Sequence, residues 1–458
     1  MKKASLLFGV IILSIWQMHA QDYTCDSLLY MYRTEGGITI GSKPSGFTEM
    51  RDGNILINMA VGISSNGLGD KLFKISRQGL SVMESVFIEC TPEIMTNYTS
   101  YDAITLLRQN PDGNGYFSAS LVNDRTKGST WLRIVHFDED LVFEDPDEAL
   151  MIPLEDTIIR KTSILLEGNE NIVLMYLLHG DPVLFRIGID GTPKEKNVLH
   201  GFVDWGDGQP EYWRSELSVF NESPLEYAFY DWDVTENDTC LKIHVVDSLF
   251  GHLETIPIGN HYGDVHLIPN YNYSTCHPII MSLDDSSWCV ATQYTRYNIV
   301  RNGTCILKFD KNTNENLGVA LFESWPIYTN PRLFAYPIGM EESSEGFLYF
   351  AYRTNNIESP NNKGWLAVVK MDANLNTIWQ RYFLGSTSVT NGYWHTYCHS
   401  GLIDQGMMVY GNMTCPVLSE NKFLYVFYDN VNDIQESESF VRPYFFYPNP
   451  AHDRLQLQ

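Results

Sequence analysis

Four stretches of the chain gather side chains suited to holding a ligand. "DWGDGQPEYWR" (204–214) carries Trp205, Tyr212, Trp213 and Arg214; "HYGDVHLIPNYNYSTCH" (261–277) carries Tyr271, Tyr273 and His277; "SWPIYTNPR" (324–332) carries Tyr328 and Arg332; "TNGYWHTYCH" (390–399) carries Trp394 and His399. Flat rings with polar edges stack on sugars or grip an extended peptide, and interleaved Asp, Arg and His supply directional hydrogen bonds. Any single ring serves equally well as a packing wedge, so it is the recurrence of the set that points to binding.

Other constellations point to folding rather than to catalysis. "NPDGNG" (110–115) and "DKNTNEN" (310–316) begin like calcium loops, but Leu121 and Leu321 stand at the twelfth position, where a bidentate Glu belongs; both read as hairpin turns. His395, Cys398 and His399, with Cys276 and His277, are zinc-ligand types, but an extended strand turns residues 398 and 399 to opposite faces. "SLDDSSW" (282–288) resembles an Asp-box that is one residue short before its Trp. No Gly-x-Ser-x-Gly elbow or phosphate loop occurs, and no two of the many carboxylates are marked out as an acid–base pair. The expectation is a site with no catalytic residue, no metal and no cofactor; a polysaccharide hydrolase or lyase using acids of the same loops is the alternative.

The elements that would position the aromatic stretches repeat. "KLFKIS", "WLRIVHFD", "VLFRIGID", "CLKIHVVD", "CILKFD", "LAVVKMD" and "FLYVFYD" end at residues 76, 138, 190, 247, 310, 372 and 429, at intervals of 52 to 63 residues. Each is preceded by a short strand, a polar turn such as "RDGN" or "ESSEG", and a longer apolar strand, and is followed by a turn and a fourth strand. Strands apolar on both faces must be covered on both sides, which a ring of sheets achieves. The fold class predicted is all-β: a seven-bladed β-propeller of four-stranded antiparallel blades, with six or eight blades compatible with the same spacing. Two stacked β-sandwiches are the rival architecture. Residues 27–34 or 36–42 are expected to supply the outer strand of the last blade, and the aromatic stretches, joining fourth strands to first strands, to share one mouth of the axial channel.

"LAVVKMDANLNTIWQRYFLG" (366–385) resembles the blade repeat of secreted bacterial propellers, with Lys370, Asp372, Asn374, Asn376, Trp379 and Gly385 in the pattern's places and Asn376 at its left-handed turn position. Two ends of the chain bear on location. Lys2 and Lys3 before an apolar run and Ala20 read as a secretory signal over residues 1–20, shorter than a membrane span. After a propeller over 21–437 and a linker over 438–446, "YPNPAHDRLQLQ" (447–458) is similar to the opening of the type IX secretion sorting domain of Gram-negative bacteria. The resemblance implies partnership with that machinery and a secreted or outer-membrane-surface location, or a periplasmic one if the tail does not function, since that domain continues for several strands beyond the first.

The formal net charge of −25, or −27 once Lys2 and Lys3 leave with the signal, makes nucleic acid an unsuitable partner. No later stretch is apolar enough to be a transmembrane segment. Eight cysteines beyond the signal suit an oxidising compartment, with a buried reduced set as the alternative; Cys398 and Cys415 fall on one blade and form a candidate disulfide. The function expected is therefore a secreted or cell-surface binding module for a glycan or protein ligand.

Overall fold

The structure, a computed structural model, describes residues 27–31 and 43–428 with breaks at connecting segments, the larger ones being 97–104, 202–216, 269–277, 325–335, 356–363 and 384–393. Among the described residues every regular element is a strand, and no helix is long and apolar enough to cross a membrane. The strands form seven antiparallel sheets, five of four strands and two with additions. In chain order the first strands of these sheets are Lys43–Glu49, Thr105–Gln109, Thr162–Glu167, Ser218–Glu222, Ile279–Ser282, Tyr336–Glu342 and Trp394–Ile403.

These first strands are the inner ones. Those of the first and second, second and third, fourth and fifth, fifth and sixth, sixth and seventh, and seventh and first sheets touch. The third and fourth sheets join through a shared core that includes Val173, Leu184, Tyr227 and Phe229. The chain is an all-β propeller. Its closure is made by Ser27–Met31, which pairs antiparallel with Asn421–Tyr428 as the outer strand of the seventh sheet, so the earlier of the two candidate closing segments does this work.

Each repeated motif ends the third strand of its sheet, and the structure explains its recurrent Asp. The carboxylates of Asp138, Asp247 and Asp372 accept backbone N–H groups two and four residues on, at 2.7 to 2.9 Å, and Asp310 accepts those of Asn312 and Thr313 at 2.9 and 2.8 Å. Such Asx bonding closes the turn into the fourth strand. Asp112 likewise accepts the N–H of Asn114 at 2.8 Å, so the "NPDGNG" and "DKNTNEN" stretches are hairpin turns.

One local expectation is corrected. The left-handed residue of the sixth-sheet turn is Leu375, with φ 63°, rather than Asn376. Leu141 and Phe250 occupy the same place after Asp138 and Asp247, with φ 58° and 62°. All three side chains are buried in the cores between sheets, and that burial offsets a backbone cost of about 1 kcal/mol.

The buried cysteines that the structure describes are unpaired. Cys289 and Cys305 carry free thiols. Cys289 packs in the core shared with the sixth sheet and Cys305 in that shared with the fourth, so the two point to opposite faces of one sheet and cannot pair. Cys398 lies opposite Gly411 on the described backbone, and Cys415 lies outside the described residues.

Candidate functional site

A cavity of about 570 Å³ lies where the inner strands of the fourth to seventh sheets converge. Within its sheet each inner strand pairs on one side only. Its other edge, with free backbone N–H and C=O groups, faces the axis, so the lining is polar even where Val219, Ile280 or Ile338 contributes to it. Charge is supplied by Glu222, Asp284, Glu341 and Lys311, all close to turns between first and second or third and fourth strands.

Each charge has a traceable setting. The Lys311 ammonium donates to Ser282 Oγ at 2.6 Å and lies 5.8 Å from the centre of the Phe220 ring. Burial pulls its pKa down, against the pull of Glu226 and Glu222. Glu342, beside the cavity, accepts the Asp284 N–H at 2.9 Å; burial pushes its carboxyl up, and the neighbouring Asp284 and Asp285 add to that. Asp285 is desolvated too, but Lys308 at 2.5 Å and the bonds from Ser287 together outweigh this and hold it below the usual carboxylate range. Lys308 also reaches Ala373 O at 2.5 Å, tying the fifth sheet to the sixth. The "SLDDSSW" stretch thus supplies a turn, an ion pair and, in Trp288, a fully buried ring stacked on Phe309 at 4.6 Å. Ser400 Oγ fills the space a side chain at Gly339 would need, drawing the sixth and seventh sheets together at the cavity wall.

Arg108 is a further charge on an inner strand, outside the residues that line the cavity. It sits on the inner strand of the second sheet, which two other sheets separate from the sixth, yet Glu341 is the largest charge raising its pKa against desolvation. The register agrees: Arg108 pairs with Phe117 and Glu341 with Tyr349, each one pair short of the turn. The equivalent places on the other inner strands hold Thr48, Leu166, Asn221, Met281 and Leu402, none of them charged. Among these equivalent positions there is therefore one cation, Arg108, and one anion, Glu341.

Sequence reasoning missed these residues. The available signal was the charge in "TLLRQ" and "YPIGMEE", visible once first strands, rather than third strands, are set beneath one another. Of the residues expected to bind, Trp205, Tyr212, Trp213, Arg214, Tyr271, Tyr273, His277, Tyr328 and Arg332 lie outside the described residues. Trp394 and His399 are on the inner strand of the seventh sheet, opposite Thr414 and Tyr410, where the backbone alone is described. Trp394 begins that strand and Ser400 is six residues along it, roughly 20 Å at strand rise. The cavity thus lies well down the channel from the mouth where the aromatic stretches were expected to gather. Among the described residues no group of three His, Cys, Asp or Glu side chains is placed to hold a metal ion.

With that geometry in view, known proteins offer a likeness of fold. No family model matches the chain, and no curated protein matches it. Among solved structures, the β-propeller domain of the trilobed protease from Pyrococcus furiosus is similar at 9% identity over 87% of this chain and 99% of that one, with a TM-score of 0.45. The Pseudomonas aeruginosa periplasmic gluconolactonase is similar at 12% identity over 79% and 92%, with a TM-score of 0.41. Prolyl oligopeptidase B from Galerina marginata is similar at 10% identity over 83% of this chain, which spans only 50% of that protein, with a TM-score of 0.45. Peptidase and lactonase propellers thus stand side by side, and the likeness carries no activity to this chain.

Proposed function

We propose that the protein is a secreted, non-catalytic binding module, a seven-bladed propeller whose ligand, a glycan or a peptide, enters the axial channel past the aromatic stretches. The observation that carries this reading is the polar, charged cavity of about 570 Å³ at the convergence of the inner strands, within the range of small-ligand sites. A hydrolase or lyase would place two carboxylates across the mouth from one another. At the equivalent register positions of the described inner strands the charged residues are Arg108 and Glu341, of opposite sign, an arrangement suited to holding a ligand. The signal-like residues 1–20 and the sorting-domain-like ending are what support a location at the cell surface.

The test is an equilibrium screen of the chain against oligosaccharides and short peptides, with product analysis on every ligand that binds. Binding with a dissociation constant below about 1 mM and no turnover is the expected result. Release of cleaved product, or no binding in either class, refutes the reading. Protease accessibility on intact cells of the host tests the location, and protection of the chain until the outer membrane is opened would place it in the periplasm.

A further inference from the structure

We infer that the channel takes a short peptide by its terminal carboxylate, with Arg108 as the receiving group. This rests on the binding reading above and narrows its ligand. Arg108 Nη1 donates to Phe47 O at 3.2 Å and to Leu107 O at 2.9 Å, which uses both of its protons and fixes the plane of the guanidinium. No described group accepts from Nε or Nη2, and the side chain is exposed between the buried Leu107 and the half-buried Gln109. That remaining edge is the one that binds a carboxylate side-on through two parallel hydrogen bonds.

The lack of an ion pair is informative in so acidic a protein. Arg186, Lys196 and Lys308 each hold a carboxylate within 3 Å, whereas Arg108 has none within 4 Å among the described residues. Its surroundings nevertheless strip enough water from it to pull its pKa down. Part of the desolvation cost of binding an anion is therefore borne before the ligand arrives, and the anion gains more from the charge than it would at an open surface.

Three features make a peptide the better fit than an acidic glycan. Free strand edges on the cavity wall offer N–H and C=O groups that match peptide amides. Asp284 and Glu222 suit an amine. Charges of both signs at equivalent inner-strand positions suit a ligand bearing both signs.

The experiment is calorimetry on the full chain with unblocked trialanine, its C-terminal amide, its N-acetyl form and trigalacturonate. The expected results are binding of trialanine, at least about tenfold weaker binding of the amide, and loss of that preference in Arg108→Gln. Arg108→Lys, which keeps the charge and loses the fork, should recover only part of it. Equal binding of acid and amide by the unaltered chain overturns the inference without any variant, as does a tenfold preference that survives in a folded Arg108→Gln. Binding of trigalacturonate with no peptide binding overturns the inference and leaves the binding reading intact, whereas no binding by any of the four overturns the inference and leaves that reading to the wider screen.

Discussion

Replacing Arg186 by Met removes one charge from a latch between the third and fourth sheets. The guanidinium grips Glu167 through two bonds of 2.7 and 2.8 Å and reaches Glu195 at 3.2 Å, both on its own sheet. Towards the fourth sheet it reaches Ser248 O at 2.6 Å and lies 4.7 Å from the centre of the Phe250 ring. The Tyr227 hydroxyl also donates to Glu167. The Arg186 and Glu167 side chains are only 11% and 10% exposed. Burial works against the Glu167 charge, but the bonds from Arg186 and Tyr227 outweigh it and hold the carboxyl below its ordinary range. Met keeps most of the apolar stem and strands that carboxylate, a change that costs about 3–5 kcal/mol at neutral pH. The pH dependence gives the sign. A carboxylate with a depressed folded pKa contributes stability above its unfolded pKa and loses it as pH falls through the folded value. In the variant the folded pKa rises instead, so the deficit should be largest at pH 7 and shrink once Glu167 is protonated. Urea unfolding followed by tryptophan fluorescence at pH 7 and pH 4 reads both quantities, with a midpoint shift on the order of 1 M at pH 7. A deficit under about 1 kcal/mol, or one equal at the two pH values, refutes the reasoning.

Three further expectations follow from burial. Phe250→Gly relieves a left-handed backbone by about 1 kcal/mol but removes a fully buried ring, so it should destabilise by about 2–4 kcal/mol in the same unfolding assay. His179→Gly, at φ 53° in the exposed two-residue turn between Leu178 and Asp181, has no ring burial to lose and should stabilise by about 0.5–1 kcal/mol. Cys289, whose thiol burial pushes up to about 12, and the equally buried Cys305 should resist a thiol reagent in the native protein and react on unfolding; a mass map placing either in a disulfide would contradict the structure.

What the sequence made legible was local. The third strands could be aligned because each is apolar on both faces and ends, in six of seven cases, at an Asp; in the structure Asp138, Asp247 and Asp372 fold their turns within four residues of themselves. Closure by Ser27–Met31 was one of two legible choices, because only strand-forming segments before the first unit can supply a missing edge. The turn at Leu375 was misread because propensity favours Asn in a left-handed conformation, and only the packed core between the fifth and sixth sheets shows why Leu is there instead. The extra strands Ile94–Thr96 and Val265–Leu267, which lengthen the inner edges of the second and fifth sheets, are not legible in the sequence because two or three ladder pairs leave no periodic trace. Arg108 and Glu341 were the least legible of all. They lie in different repeats, and nothing local to either marks it as a partner of the other. Their correspondence appears only when equivalent register positions of non-neighbouring sheets are compared. In a propeller, the residues facing a central ligand are separated in sequence by whole repeats. A reading that compares each repeat with its neighbour finds the fold, while the site emerges only when first strands are compared all the way round.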